Sequence, residues 1–207
     1  MPLFQLPAGI RTYTIASPGV TIYYPAVYGL ANPQAEERIN RTILQLVHAM
    51  RQEQLKMQTG TDMEMTGHYE IKTNERGLLS LLLTNYAYSR PMAHGFTVAR
   101  SLTFDTNTGR LYALQDLFKP GASYTAVLTA LVNEQARRRQ IPLLNGSPQV
   151  QPNQDYYLAD KSLVIYYPLY AIAPYYVGFP MFPISVYELQ DIAAEGGPLD
   201  RLAASVS

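Results

Sequence analysis

Apolar positions recur with two distinct periods along the chain, and where the period changes the elements change. Residues 11–16 and 20–24 are short β-branched and aromatic runs separated by Ser17-Pro18-Gly19, so they predict a first pair of strands joined by a tight turn. A helix over about residues 33–58 follows. Asn32 supplies an N-cap, Pro33 fits the first helical position, and Glu36 and Glu37 favour the positive end of the helix dipole. Ile39, Ile43, Leu46, Val47 and Met50 then return at three- and four-residue steps, one apolar stripe that ends before Gly60.

Beyond Gly60 the period drops to two. Met63, Met65, Tyr69 and Ile71 alternate with Glu64, Thr66, His68, Glu70 and Lys72, which predicts a strand with one buried face. The turn at 74–77 leads into residues 78–88, where Leu78, Leu79, Leu81, Leu82 and Leu83 make both faces apolar and place that strand centrally. After a loop over residues 89–95, Phe96, Val98, Leu102 and Phe104 mark another strand, and residues 105–109 turn the chain back. The pairing expected is antiparallel throughout. A second helix over 123–140 presents Val127, Leu128, Leu131 and Val132, is capped by Ser123 and ends in Arg137, Arg138 and Arg139 before Pro142. Residues 141–155, rich in Pro, Asn, Gly and Gln, read as a long mobile surface loop. Strands at 156–159 and 163–167 flank Asp160-Lys161-Ser162, and a further strand falls at 182–187.

The fold class is therefore α+β, a mainly antiparallel sheet with two principal helices, in an order that suggests two similar halves packed as one unit. The halves expected are residues 10–90 and 91–192, with residues 193–207 as a flexible tail. A length of 207 residues permits one domain or two. Hydrophobic residues at 47% against 15% charged remove intrinsic disorder from consideration.

Charge and residue usage narrow the function. Sixteen basic residues balance sixteen acidic ones, which leaves no field to attract a phosphate backbone, so nucleic acid is not an expected partner. No cysteine is present, which removes disulfides, thiolate nucleophiles and cysteine metal sites. No stretch reaches the ~18 apolar residues of a membrane span, and the opening residues lack the basic and apolar segments of a signal peptide. Seventeen tyrosines with no tryptophan are the compositional anomaly, and tyrosine suits surfaces that are half apolar and half wet.

Candidate chemistry is sparse. His48, His68 and His94 fall on a helix, a strand and a loop without metal-ligand spacing, so no metal and no cofactor is expected. His94, within Ala93-His94-Gly95, sits where small neighbours let a ligand or another backbone approach, and is expected to be held by hydrogen bonds. Asp105, Asn107 and Gly109 resemble the start of a calcium loop, but the glycine is one position early and no closing glutamate follows. Nucleophile elbows and phosphate loops are absent, and Asp105, Asp116, Asp155 and Glu188 remain as unranked carboxylates. Tyr170, Tyr175 and Tyr176 stand out for another reason. Pro168 and Pro174 stiffen their segment and remove ladder donors, so it should kink or run along an edge, with its rings either presented to a partner or packed into the core of the second half.

Several short stretches, taken in order, resemble the extracytoplasmic module shared by RsiV-type anti-sigma factors and PdaC-type peptidoglycan deacetylases. They are Tyr23-Tyr24-Pro25, Gly29-Leu30 and Ile39-Asn40 in the first half, then Ala93-His94-Gly95, Phe104-Asp105, Thr108-Gly109, Leu114-Gln115-Asp116-Leu117-Phe118, Leu163-Val164-Ile165-Tyr166-Tyr167 and Tyr170-Ala171-Ile172-Ala173-Pro174-Tyr175. Pro91 and Met92 depart from the two glycines usual before Ala-His-Gly. The resemblance implies an α+β binding or sensor module exposed outside the membrane, recognising a protein such as lysozyme or a cell-wall glycan, and it assigns no catalytic residue. The alternatives are an enzyme or accessory domain acting on peptidoglycan, and a cytoplasmic interaction scaffold.

Overall fold

A computed structural model describes residues 7–204. The chain divides into two compact units whose boundary falls between Leu111 and Tyr112. Each is described by itself.

The first unit carries a five-stranded sheet, β1 (Gly9–Ser17), β2 (Val20–Tyr28), β3 (Thr61–Glu75), β4 (Leu78–Arg90) and β5 (Phe96–Asp105), in sequence order across the sheet. One pairing departs from the antiparallel expectation: β2 and β3 run parallel, Val20 opposite Met65 to Ile22 opposite Gly67. The helix between them, α1 (Pro33–Met57), explains it, because a parallel neighbour requires a crossover and a helix is the usual one. The unit extends past the boundary expected near residue 90, because β5 pairs with β4 from Ala87 opposite Phe96 to Leu78 opposite Asp105.

Helix α1 begins as its sequence dictates. Asn32 accepts hydrogen bonds from the Gln34 and Ala35 amides, and Glu36 reaches back to the Leu30 amide at 3.1 Å. Ile39, Ile43, Val47 and Met50 are buried in one cluster with Val20, Ile22, Met65, Leu79, Leu81 and Leu83, and Ala35 is buried as well. Where β2 diverges from β3 its backbone would be left unpaired. Asn40 of α1 replaces the missing strand, accepting from the Val27 amide at 2.7 Å and donating to the Val27 carbonyl at 2.9 Å. Asn74 clamps Ala8 in the same way, at 2.9 and 2.8 Å.

Strand β4 is buried on both faces from Leu78 to Leu83, as its composition predicts. Strand β3 breaks its own alternation, and Ile71, expected inside, is 46% exposed. The register shifts just beyond it, between Ile71 and Thr73, and Thr73, opposite Ser80, is buried. At the end of β5, the turn at 105–109 docks on α1: Arg38 donates to the Thr108 carbonyl at 2.6 Å and Asn32 to that of Asn107 at 2.9 Å. Gly109 has φ +70°, and a Cβ there would lie 2.8 Å from the Ala35 Cα. Only glycine fits.

The second unit holds a three-stranded antiparallel sheet, β6 (Tyr156–Ala159), β7 (Ser162–Tyr166) and β8 (Met181–Ser185), with α2 (Tyr124–Arg138) and a short α3 (Pro198–Ala203). Helix α2 buries Leu128, Val132 and Ala136, while Val127 and Leu131 are half-buried. Ser123 caps through its carbonyl rather than its hydroxyl, accepting from the Ala126 and Val127 amides. Gln135 and Arg139 then fasten the helix to β8, on the Pro183 and Met181 carbonyls.

Residues 141–155 are irregular, yet they are tied down along their length rather than loose. The Val150 amide donates to Thr129, Asn133 to the Pro148 carbonyl, Tyr167 to the Gln149 carbonyl and Gln154 to the Tyr166 carbonyl. The tail expected to fray instead forms α3 as far as Ala203, with Leu199 and Leu202 buried, while its last three residues lie outside the described part. Five strands against three also means that the two units are not copies of one plan. Among the described residues, no helix is long and apolar enough to cross a membrane.

Candidate recognition surface

The segment between β7 and β8 is a chain of tight turns. The Ala171 amide donates to the Pro168 carbonyl at 3.1 Å, that of Val177 to Pro174 at 3.0 Å and that of Gly178 to Tyr175 at 3.0 Å. Pro168 and Pro174 are thus each the acceptor that opens a turn, in place of ladder bonds that the segment does not make. Leu144 donates its amide to the Ile172 carbonyl at 2.9 Å, which ties the middle of the segment to residues 141–155. Ala173 is buried beneath.

On that support the tyrosines divide by exposure. Tyr176 is 79% exposed and Tyr170 47%, while Tyr175 is half-buried with its ring centroid 5.5 Å from that of Tyr170. Tyr170 also has φ +65°, a conformation costly for a bulky residue and held only where surrounding contacts enforce it. Nearby in sequence, Tyr166 and Tyr167 are core. Burial pushes the Tyr167 hydroxyl up to about 12, from an ordinary value of 10.0.

His94 lies in the first unit, in the loop after β4 that follows a cis Arg90-Pro91 bond. Its ring is exposed, with Nδ1 2.9 Å from the Gly95 carbonyl oxygen. Gly95 has a steric reason to be glycine, since a Cβ there would meet the Tyr86 ring at 2.2 Å. The three histidines are on separate elements, and no group of three metal-binding side chains occurs among the described residues. The calcium-like loop is a staple: Asp105 Oδ1 accepts from the Asn107 amide, the Thr108 amide and the Thr108 hydroxyl. Two more of the unranked carboxylates do similar work, Asp116 accepting from the Ala113 amide and Glu188 from the Ser185 amide. In the arginine run, Arg137 holds Glu134 through two contacts of 2.8 Å, and this neighbour keeps the Glu134 carboxyl below its ordinary value.

Sequence reasoning passed over one aromatic cluster. Tyr13 and Tyr24 stack at 5.9 Å, and the Arg11 guanidinium lies 4.7 Å from the centre of the Tyr28 ring. The signal was available, because the tight turn at Pro18-Gly19 fixes which residues of β1 and β2 face each other.

A two-unit α+β domain with an aromatic segment between its last two strands is the class these features define. Residues 115–187, which include that segment, match the family described as "Protein of unknown function (DUF3298)". The match lies wholly within the second unit. The chain as a whole is similar to the anti-sigma-V factor RsiV of Bacillus subtilis (strain 168), 27% identical over 183 residues that take in 80% of this chain. It spans 62% of that protein's length. Two crystal structures of DUF3298 family proteins share the fold: one from Bacteroides fragilis NCTC 9343 at 15% identity and TM-score 0.67, covering 96% of both chains, and one from Pseudomonas aeruginosa PAO1 at 18% and 0.65, covering 98% of both.

Proposed function

We propose that this chain is an RsiV-like recognition module that works outside the cytoplasmic membrane and binds a protein ligand of the lysozyme kind through Tyr170, Tyr175 and Tyr176. The observation that carries the reading is the presentation of two exposed tyrosine rings on a segment braced by turns at Pro168 and Pro174. A partner that docks there orders little that is not already ordered, so more of the contact energy remains as affinity. The enforced φ of Tyr170 supports the same surface, since strained residues concentrate where a fold presents groups for function. Similarity to an anti-sigma factor supports sensing rather than chemistry. His94, exposed in the other unit, is a secondary candidate contact.

A pull-down of the purified chain against lysozyme and against soluble peptidoglycan fragments, with product analysis of the same mixtures, tests the proposal. Retention of lysozyme by the wild-type chain, lost in Tyr176→Ala, is the expected outcome. Retention of fragments alone would move the ligand to the cell-wall glycan, and new cleavage or deacetylation products would replace binding with catalysis.

A further inference from the structure

The exposed face of the β1–β2 hairpin carries a different kind of surface, in the first unit and independent of the tyrosine segment. In the hairpin register Gly9 opposes Tyr28, Arg11 opposes Ala26 and Tyr13 opposes Tyr24, alternate pairs that share one face. Tyr13 and Tyr28 are 48% and 44% exposed, Arg11 is exposed and Tyr24 is half-buried. The Tyr13 and Tyr24 rings are inclined by only 26°. The Tyr28 ring is laid flat by a specific device: a Cβ on Gly9 would stand 2.6 Å from its Cζ and 2.8 Å from both Cε atoms, so only glycine opposite lets the ring lie on the backbone. The result is a shelf of tyrosine rings about one guanidinium, with Arg11 lying over the Tyr28 ring at 4.7 Å from its centre.

We propose that this shelf binds a polysaccharide that bears carboxylate groups. Flat tyrosine faces accept the C–H faces of sugar rings, and a guanidinium takes a carboxylate with paired hydrogen bonds. Charge complementarity points the same way. Arg11 is the shelf's one cation, the shelf holds no acidic residue, and Arg11 forms no ion pair with any described residue.

Titration of the isotope-labelled chain with a galacturonic acid oligosaccharide, and separately with an uncharged cello-oligosaccharide of the same length, followed by amide shifts, tests the proposal. The acidic sugar is expected to shift residues of β1 and β2 and to bind more tightly than the neutral one. Arg11→Gln should weaken it about tenfold, the order expected for losing one charge-assisted pair. Gly9→Ala, which removes no binding group and only lifts the Tyr28 ring, should weaken both sugars. Thermal unfolding of each variant controls for folding, and Tyr13→Ala, at an exposed position, stands in for any variant that loses structure. The proposal is overturned if the acidic sugar does not bind, if both sugars bind equally, if Arg11→Gln binds as the wild type does, or if β1 shifts only with protein concentration, which would mean that a second copy pairs along its edge.

Discussion

Replacing Asn40 by alanine isolates the step by which α1 completes the sheet. Its amide makes two bonds to Val27, accepting at 2.7 Å and donating at 2.9 Å, and Val27 itself is only 2% exposed. Each backbone group left without a partner costs about 1–1.5 kcal/mol, so the pair is worth about 2–3 kcal/mol. At about 2–4 °C per kcal/mol for a chain of this size, Tm should fall by about 4–12 °C. Asn40→Leu, which keeps the volume and removes both bonds, should lose nearly as much, whereas a packing role would let leucine restore stability. The assay is urea unfolding followed by far-UV dichroism, with Asn74→Ala as a companion because Asn74 makes the same clamp on Ala8. A midpoint unchanged in both Asn40 variants would refute the reasoning, because about 0.5 kcal/mol is the usual spread for inert surface substitutions.

Gly109→Ala forces a side chain into a φ of +70° against the Ala35 backbone, so it should cost about 2 kcal/mol or more in chemical denaturation, and a wild-type midpoint would contradict the assigned packing. Tyr167 should ionise late in alkaline titration: its folded value near 12 lies above the ordinary 10, so its stabilising contribution is full below pH 10 and disappears as pH rises through 12. Absorbance at alkaline pH should show a late component that shrinks in Tyr167→Phe, and an unchanged late amplitude in that variant would reject the assignment. Ile43→Ala, at a position with no exposure, should cost about 2–5 kcal/mol by unfolding, and a loss under 1 kcal/mol would show that the apolar stripe is not the core described here.

Local signals in the sequence reached as far as their physical range. Asn32, Pro33 and the stripe from Ile39 to Met50 define α1 because capping and helical periodicity are properties of neighbouring residues, and the helix starts and ends within a residue of expectation. The parallel β2–β3 pair was not legible, since a period of two says that a face is buried and not which strand lies beside it. The register shift just after Ile71 was not legible either, because no turn residue marks the extra residue. Residues 141–155 look mobile in composition, and only contacts distant in sequence, such as Thr129 to Val150, tie them down. The stiffness of the Tyr170 segment could be read from its two prolines, while the φ of Tyr170 and the exposure that separates Tyr176 from the buried Tyr166 and Tyr167 are set by tertiary packing.

The most direct test of the proposed role is the affinity of lysozyme for the wild-type chain and for a Tyr170→Ala, Tyr176→Ala double variant, measured by calorimetric titration beside thermal unfolding of both. Both side chains are exposed, so Tm should change by no more than about 2 °C, while loss of two aromatic contacts of about 2 kcal/mol each should weaken binding about a thousandfold. Wild-type binding that survives unchanged in the double variant would contradict the account, as would a large fall in Tm, which would return these tyrosines to the core.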